Sequence, residues 1–145
     1  MAIFTSRFSN PELKNGNYKT IRISIGTPKW NTGYRLDGEL SDLMPFNLKG
    51  MEYEVFQKEY KARLEKIGVE KIKSQLKHLQ TDGKDIVLLC YEDIRKPDDW
   101  CHRTIFASWW LEKTGETILE LSDSSSPPKQ RTQNTISPEQ MTLEF

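Results

Sequence analysis

Only two cysteines, Cys90 and Cys101, occur in the 145 residues, too few for the disulfide framework on which small secreted domains rely. No apolar run approaches the roughly 18 residues that a membrane-spanning helix needs. The opening residues M-A-I-F-T-S-R-F lack the charged-then-apolar pattern of a secretion signal. A transmembrane or secreted protein is therefore not expected, and the location implied is cytoplasmic. Excess charge of either sign is also missing: 21 basic residues balance 21 acidic ones. That argues against a histone-like coat of positive charge but leaves room for a local basic patch. Neither G-x-G-x-x-G nor G-x-x-x-x-G-K-[ST] occurs, so dinucleotide and P-loop readings have no support and no cofactor is expected. There is no internal repeat. What the chain does have is aromatic mass, with four Trp, six Phe and five Tyr, enough to build a core for one small domain.

Hydrophobic periodicity organises that domain. Residues from Met1 to Phe8 alternate as a strand, before Asn10-Pro11 breaks the pattern. Tyr18 to Ile25 reads as a second strand with Ile21, Ile23 and Ile25 on one face. Ser41 to Phe46 suits a short helical turn. Val55, Phe56, Leu64 and Ile67, with Tyr53 and Tyr60, then predict an amphipathic helix. Gly68 punctuates it, and a second helix carries Val69, Ile72, Leu76 and Leu79. Asp85 to Tyr91, D-I-V-L-L-C-Y, is an unbroken apolar run of strand length, which predicts a central parallel strand covered on both faces. Asp98 to Lys113 reads as a helix, with one ring of Trp109-Trp110 in the core and the other partly at the surface. Thr117 to Leu121 reads as a last short strand. The alternation predicts an α/β fold: a small, open, mostly parallel sheet flanked by helices, as a single domain over residues 1–122.

Ligands of open α/β sheets bind beyond the carboxyl ends of the strands. There the loop after Tyr91 leads to Trp100-Cys101-His102-Arg103 at a helix start, with Asp98 or Asp99 as the expected N-cap. A thiol at Cys101 in the first helical turn would be acidified by the helix dipole. His102 would move a proton near neutral pH, and Arg103 would clamp a phosphate or carboxylate. Glu92 is a candidate general base. The alternative is that Cys101 merely faces the sheet along with Thr104, Ile105 and Ser108; Cys90, mid-core in type, reads as packing. Neighbouring helical side chains diverge by about 100°, so the three residues cannot all aim at one point. A phosphatase loop fails on spacing, because Cys90 to Arg95 is one residue short and Glu92 and Asp93 would repel phosphate. Structural zinc asks for four ligands. Only two cysteines and two histidines exist, with His78 on a polar helix face, so no metal is expected.

Leu88-Leu89-Cys90-Tyr91-Glu92, followed nine residues later by Cys101-His102-Arg103, resembles domain-of-unknown-function family 488, whose mark is an L-C-x-E strand end and a C-H-R helix start. The segments I-F-T-S-R-F-S-N and I-S-I-G-T-P-K-W resemble one branch of that family, and the likeness runs from about Met1 to Leu121. It implies a compact α/β fold and a site lined by Glu92, Cys101, His102 and Arg103, with no reaction attached. It also draws in Arg7, Arg22, Lys29 and Trp30. Together with Arg35 and Tyr34, these residues would offer phosphate contacts and base stacking to DNA or a nucleotide-like anion.

Beyond Ser122 the composition turns polar, with Ser-Ser-Ser-Pro-Pro and Ile136 as the only large apolar residue up to Glu139. Residues 123–139 are therefore expected to form a disordered linker. The last residues, Gln140-Met141-Thr142-Leu143-Glu144-Phe145, resemble the Q-L-x-L-x-F peptide that binds the bacterial sliding clamp. Gln140 would supply the amide, Met141 and Leu143 the apolar anchors, and Phe145 the terminal ring. The same alternation would also suit an edge strand on the protein's own sheet. The expectation is a DNA repair or replication protein with an anion-binding Cys-His-Arg site, tethered to the clamp. The alternatives are a non-catalytic adaptor and a small-molecule enzyme unrelated to DNA.

Overall fold

Strands form at Ile3–Arg7 (β1), Tyr18–Arg22 (β2), Gly38–Glu39 (β3), Asp85–Cys90 (β4) and Leu119–Glu120 (β5). Helices form at Tyr53–Ile67 (α1), Val69–Leu79 (α2) and His102–Thr114 (α3). These elements come from a computed structural model that describes residues 2–95 and 99–125. The strands make one sheet in the order β3-β2-β4-β1-β5, with every neighbouring pair parallel. The α/β alternation read from the sequence is thus the observed fold, and the sheet is parallel throughout. Among the described residues no helix is long and apolar enough to cross a membrane.

The central strand explains its own composition. Ile86, Val87, Leu88 and Leu89 of β4 are fully buried, as an unbroken apolar run requires when both faces are covered. Ile86 and Leu88 face a cluster containing Phe56, Tyr60 and Leu64 of α1, Ile72 and Leu76 of α2, and Trp109 and Trp110 of α3. Val87 and Leu89 face Phe8, Leu13 and Leu121, with Tyr34 and Leu36 partly buried beside them. All three helices therefore pack on one face. Loop segments and a short 3-10 helix at Pro11–Asn15 close the other.

Three local expectations are corrected. The buried stripe of α1 is the i, i+4, i+8 set Phe56, Tyr60 and Leu64, whereas Tyr53 and Val55 are exposed. Ile25 leaves the apolar face of Ile21 and Ile23, because β2 stops at Arg22 and the chain turns through Ser24 and Gly26. Both indole rings of α3 are buried, and each sends its N–H to a carboxylate: Trp109 to Glu65 at 3.1 Å and Trp110 to Glu116 at 2.7 Å. A polar acceptor at the core's margin is what allows a tryptophan to bury its whole ring. At Gly68 the backbone adopts φ 91°, ψ 148°, ending α1 and starting α2 in one residue. A positive φ there favours glycine.

Candidate active site at the carboxyl edge of the sheet

The parallel register aligns Arg7 of β1 with Cys90 of β4, and Arg22 of β2 with Leu89, so three strands deliver their last residues to one edge. Cys90 shares the two-residue period of Ile86 and Leu88 and so lies on the face that carries the helices. Cys101 is the N-cap of α3, in extended conformation (φ −143°, ψ 149°), and its side chain makes no capping hydrogen bond. Instead the sulfurs of Cys90 and Cys101 are bonded to each other as a disulfide. Both cysteines are buried in the core, as the packing readings expect; what is corrected is the expectation of a free Cys101 thiol inside the first turn, since Cys101 is bonded to Cys90 and caps the helix. The N-cap is Cys101 itself, not Asp99; Asp98 lies outside the described residues.

His102 is nearly buried, and its Nε2 lies 2.7 Å from the carbonyl oxygen of Ile23. A carbonyl only accepts, so Nε2 carries the proton and Nδ1 presents its lone pair. Nδ1 is 3.6 Å from the Cys101 sulfur. Burial, reinforced by the neighbouring Arg103 charge, pushes the imidazole down to about 4 against the favourable bond to Ile23, so the ring is neutral at pH 7.

Arg103 is completely buried. Its Nε and Nη2 donate to the Glu120 carboxylate at 3.0 and 2.8 Å, while Nη1 donates to the Cys90 sulfur at 3.1 Å. The guanidinium expected to clamp an external anion is thus held by Glu120. The divergence of the three side chains along the helix is resolved by the disulfide between Cys101 and Cys90. Histidine approaches one sulfur and arginine the other.

A pocket of about 380 Å³ opens beside this centre, lined by Cys90, His102, Glu92, Tyr91, Trp100 and Lys49 among others. Glu92 is exposed there. Gly26, also on the wall, faces the Tyr91 hydroxyl so closely that a Cβ would sit 3.1 Å from it. Trp30 is exposed and leans on Tyr91 with ring centroids 6.0 Å apart. It borders a second hollow of about 300 Å³ with Tyr34 and Arg35. Lys29 is exposed. The other basic residues grouped by sequence are engaged in the fold. Arg22 binds Glu39 at 2.6 Å and the Ser24 carbonyl at 2.8 Å. Arg7 binds Asp123 at 2.6 Å and the Ser125 hydroxyl at 2.7 Å. Gln140, Met141, Leu143 and Phe145 lie outside the described residues.

Sequence reasoning missed Cys90, the Ile23 carbonyl and Glu120. The parity of Cys90 with Ile86 and Leu88 was an available signal, since it directs the sulfur toward the helix that follows. Nothing local marks the other two, which arrive through the parallel sheet.

An ionic network ties the site's loop to the end of the described chain. Asp93 pairs with Arg95 at 2.8 Å and with Arg7 at 3.7 Å, and Asp123 pairs with Arg7 and Arg95. The sequence starts a linker at residue 123, yet Asp123 and Ser125 are fastened to the body here. The Arg95 hydrogen bonds hold Asp93 down at about 2 despite its burial. A carboxylate lowered on folding stabilises the protein above its unfolded value and ceases to do so as pH falls through its folded one. Stability is therefore expected to fall between about pH 4 and pH 2, by roughly 1–2 kcal/mol from this group. Asp93→Asn should remove that portion of the pH dependence in urea titrations. An unaltered acid limb would show that Asp93 is unimportant.

No protein-family model matches the chain, and no curated protein or solved structure matches it significantly.

Proposed function

We propose that this protein is a thiol–disulfide exchange enzyme whose reacting centre is the Cys90–Cys101 pair. One observation carries the reading. Two cysteines separated by 11 positions meet where β4 ends and α3 begins, with an imidazole nitrogen at one sulfur, a guanidinium at the other and a pocket alongside. A hydrogen bond from Arg103 to the Cys90 sulfur, at the wall of a pocket, suits a sulfur that reacts rather than one that only packs.

In the reduced protein Cys90, which lines the pocket, attacks one sulfur of a substrate disulfide. The substrate S–S bond breaks, a mixed disulfide forms and the first substrate thiol leaves. Cys101 then attacks the Cys90 sulfur, closing the protein disulfide and releasing the second substrate thiol. Two electrons pass from the cysteine pair to the substrate, and the two thiol protons end on the substrate's two sulfurs. A dithiol reductant restores the pair by the reverse exchange. Arg103 Nη1 donates to Cys90, and His102 Nδ1 accepts from the Cys101 thiol.

The test is an equilibrium titration of the full chain in mixtures of reduced and oxidised dithiothreitol, read by alkylation mass. Both thiols should appear and vanish together as a two-electron couple. Independent alkylation of one cysteine would remove the proposal.

The resemblance of Gln140 to Phe145 to the clamp-binding peptide supports a second element of the proposal, a tether to the bacterial sliding clamp. With it come a cytoplasmic location and a role in DNA repair or replication. The adaptor alternative differs in that Cys101→Ser would leave its function intact. Clamp binding is expected for the full chain and not for one ending at Glu139. If neither binds, or both do, the DNA assignment loses its support.

A further inference from the structure

We propose that the reduced site binds one thiophilic divalent ion of the zinc class through Cys90 Sγ, Cys101 Sγ and His102 Nδ1, with a fourth position open to the pocket. The inference rests on the same cysteine pair as the exchange reading, but it concerns the dithiol state and a different chemistry.

Three observations carry it. First, the ligand atoms of Cys90, Cys101 and His102 all lie within 4.8 Å of one another, and all three residues are buried. A tetrahedral ion with bonds of about 2.3 Å to sulfur and 2.0 Å to nitrogen holds those two atoms about 3.5 Å apart. Cys101 Sγ and His102 Nδ1 are already 3.6 Å apart. Once the disulfide is reduced, the sulfurs need only part to about 3.7 Å, within reach of side-chain rotation.

Second, the surroundings are those of a ligand set. His102 gives its Nε2 proton to the Ile23 carbonyl, which orients the ring and leaves Nδ1 as donor. Metal-binding histidines almost always anchor their second nitrogen in this way. Arg103 Nη1 donates to the Cys90 sulfur, a support that thiolate ligands commonly receive. The charges close as well. Two thiolates neutralise a divalent ion, and Arg103 is already neutralised by Glu120 at 2.8 Å.

Third, Cys90 and His102 line the pocket of about 380 Å³, so the vacant coordination position faces space a small ligand can enter. The expectation of no metal came from requiring four protein ligands. His78 is exposed on α2 and takes no part. Three ligands with an open fourth position is instead the pattern of catalytic zinc. Binding releases the two thiol protons. When a substrate disulfide takes up two electrons from the pair, its S–S bond breaks to two thiolates, the Cys90–Cys101 bond forms and the ion is expelled, so metal and disulfide exclude each other.

The experiment adds cobalt(II) to the full chain, reduced with a phosphine under anaerobic conditions, with the oxidised chain as a control of unchanged sequence. The expected result is one cobalt per reduced chain, with thiolate-to-cobalt charge-transfer absorption and the intense visible bands of tetrahedral cobalt. Zinc should displace it, and the oxidised chain should show none of this. Cys101→Ser should lose the charge-transfer intensity of one thiolate, and His102→Ala should weaken binding by at least about tenfold. Absence of the charge-transfer band in the reduced wild-type chain overturns the metal site, as does equal binding by the oxidised chain. Neither result depends on a variant folding. The dithiothreitol titration on the same preparation separates the two readings. A reversible couple without cobalt binding leaves exchange standing alone, and cobalt binding without a reversible couple leaves the metal site alone.

Discussion

Arg103→Ala is expected to lower the stability of the folded protein by about 3 kcal/mol, at the low end for breaking a buried ion pair. The guanidinium is fully buried and makes a two-point bond to Glu120. Its removal leaves a carboxylate that also accepts from the Thr5 hydroxyl at 2.7 Å and is only about one-third exposed. That residual exposure lets water reach Glu120 and keeps the cost from rising further. Alanine also leaves a void. Arg103→Met should recover about 1 kcal/mol by filling it without restoring the charge. The pair Arg103→Met with Glu120→Gln should recover more, because no unpaired charge remains. The measurement is the urea midpoint at constant slope. A loss smaller than about 1 kcal/mol for alanine would show that the buried pair contributes little beyond what its desolvation costs.

Reduction of the Cys90–Cys101 bond is expected to have an effect of similar size. The bond closes a loop between residues separated by 11 positions, and loop-closure entropy for that length is worth about 3 kcal/mol in the chain-entropy account. The wild-type urea midpoint should therefore drop when a phosphine reductant is added. Cys90→Ser and Cys101→Ser should each start from the lower value and ignore the reductant. Both variants should also lose the two-electron couple entirely, since exchange needs a second sulfur to close the disulfide. A wild-type midpoint indifferent to reductant would mean that the sulfurs are not bonded in solution. That outcome would remove the exchange reading together with its stabilising role.

Much of the fold is legible in particular residues. Ile86 to Leu89 announce a strand buried on both faces because no polar residue interrupts them. Phe56, Tyr60 and Leu64 announce a buried helical face by their spacing of four. Val55 looked like part of that face because hydrophobicity and burial are separate properties, and only the direction from which the sheet approaches divides them. Ile25 is similar, since its alternation continues past the point where Arg22 turns the chain by binding the Ser24 carbonyl. The site was half legible. Cys101, His102 and Arg103 stood out by type and by their place at a helix start, and Glu92 by its place just after the central strand. The roles of Arg103 and Cys90 did not, because their partners are decided elsewhere.

Sequence alone determined the alternation of strands and helices, the punctuation at Gly68 and the strand end that leads into the Cys101-His102-Arg103 helix start, all of which follow from periodicity and turn chemistry within a few residues. Tertiary structure alone decided that β4 lies between β2 and β1, that all three helices share one face, and that β5 brings Glu120 to Arg103. It also decided that the two cysteines meet. The reason is physical: hydrogen bonding in a parallel sheet joins strands that lie far apart in sequence, and no local pattern encodes which strands those are. A residue's chemistry is written at its own position, but its partner is chosen by the sheet.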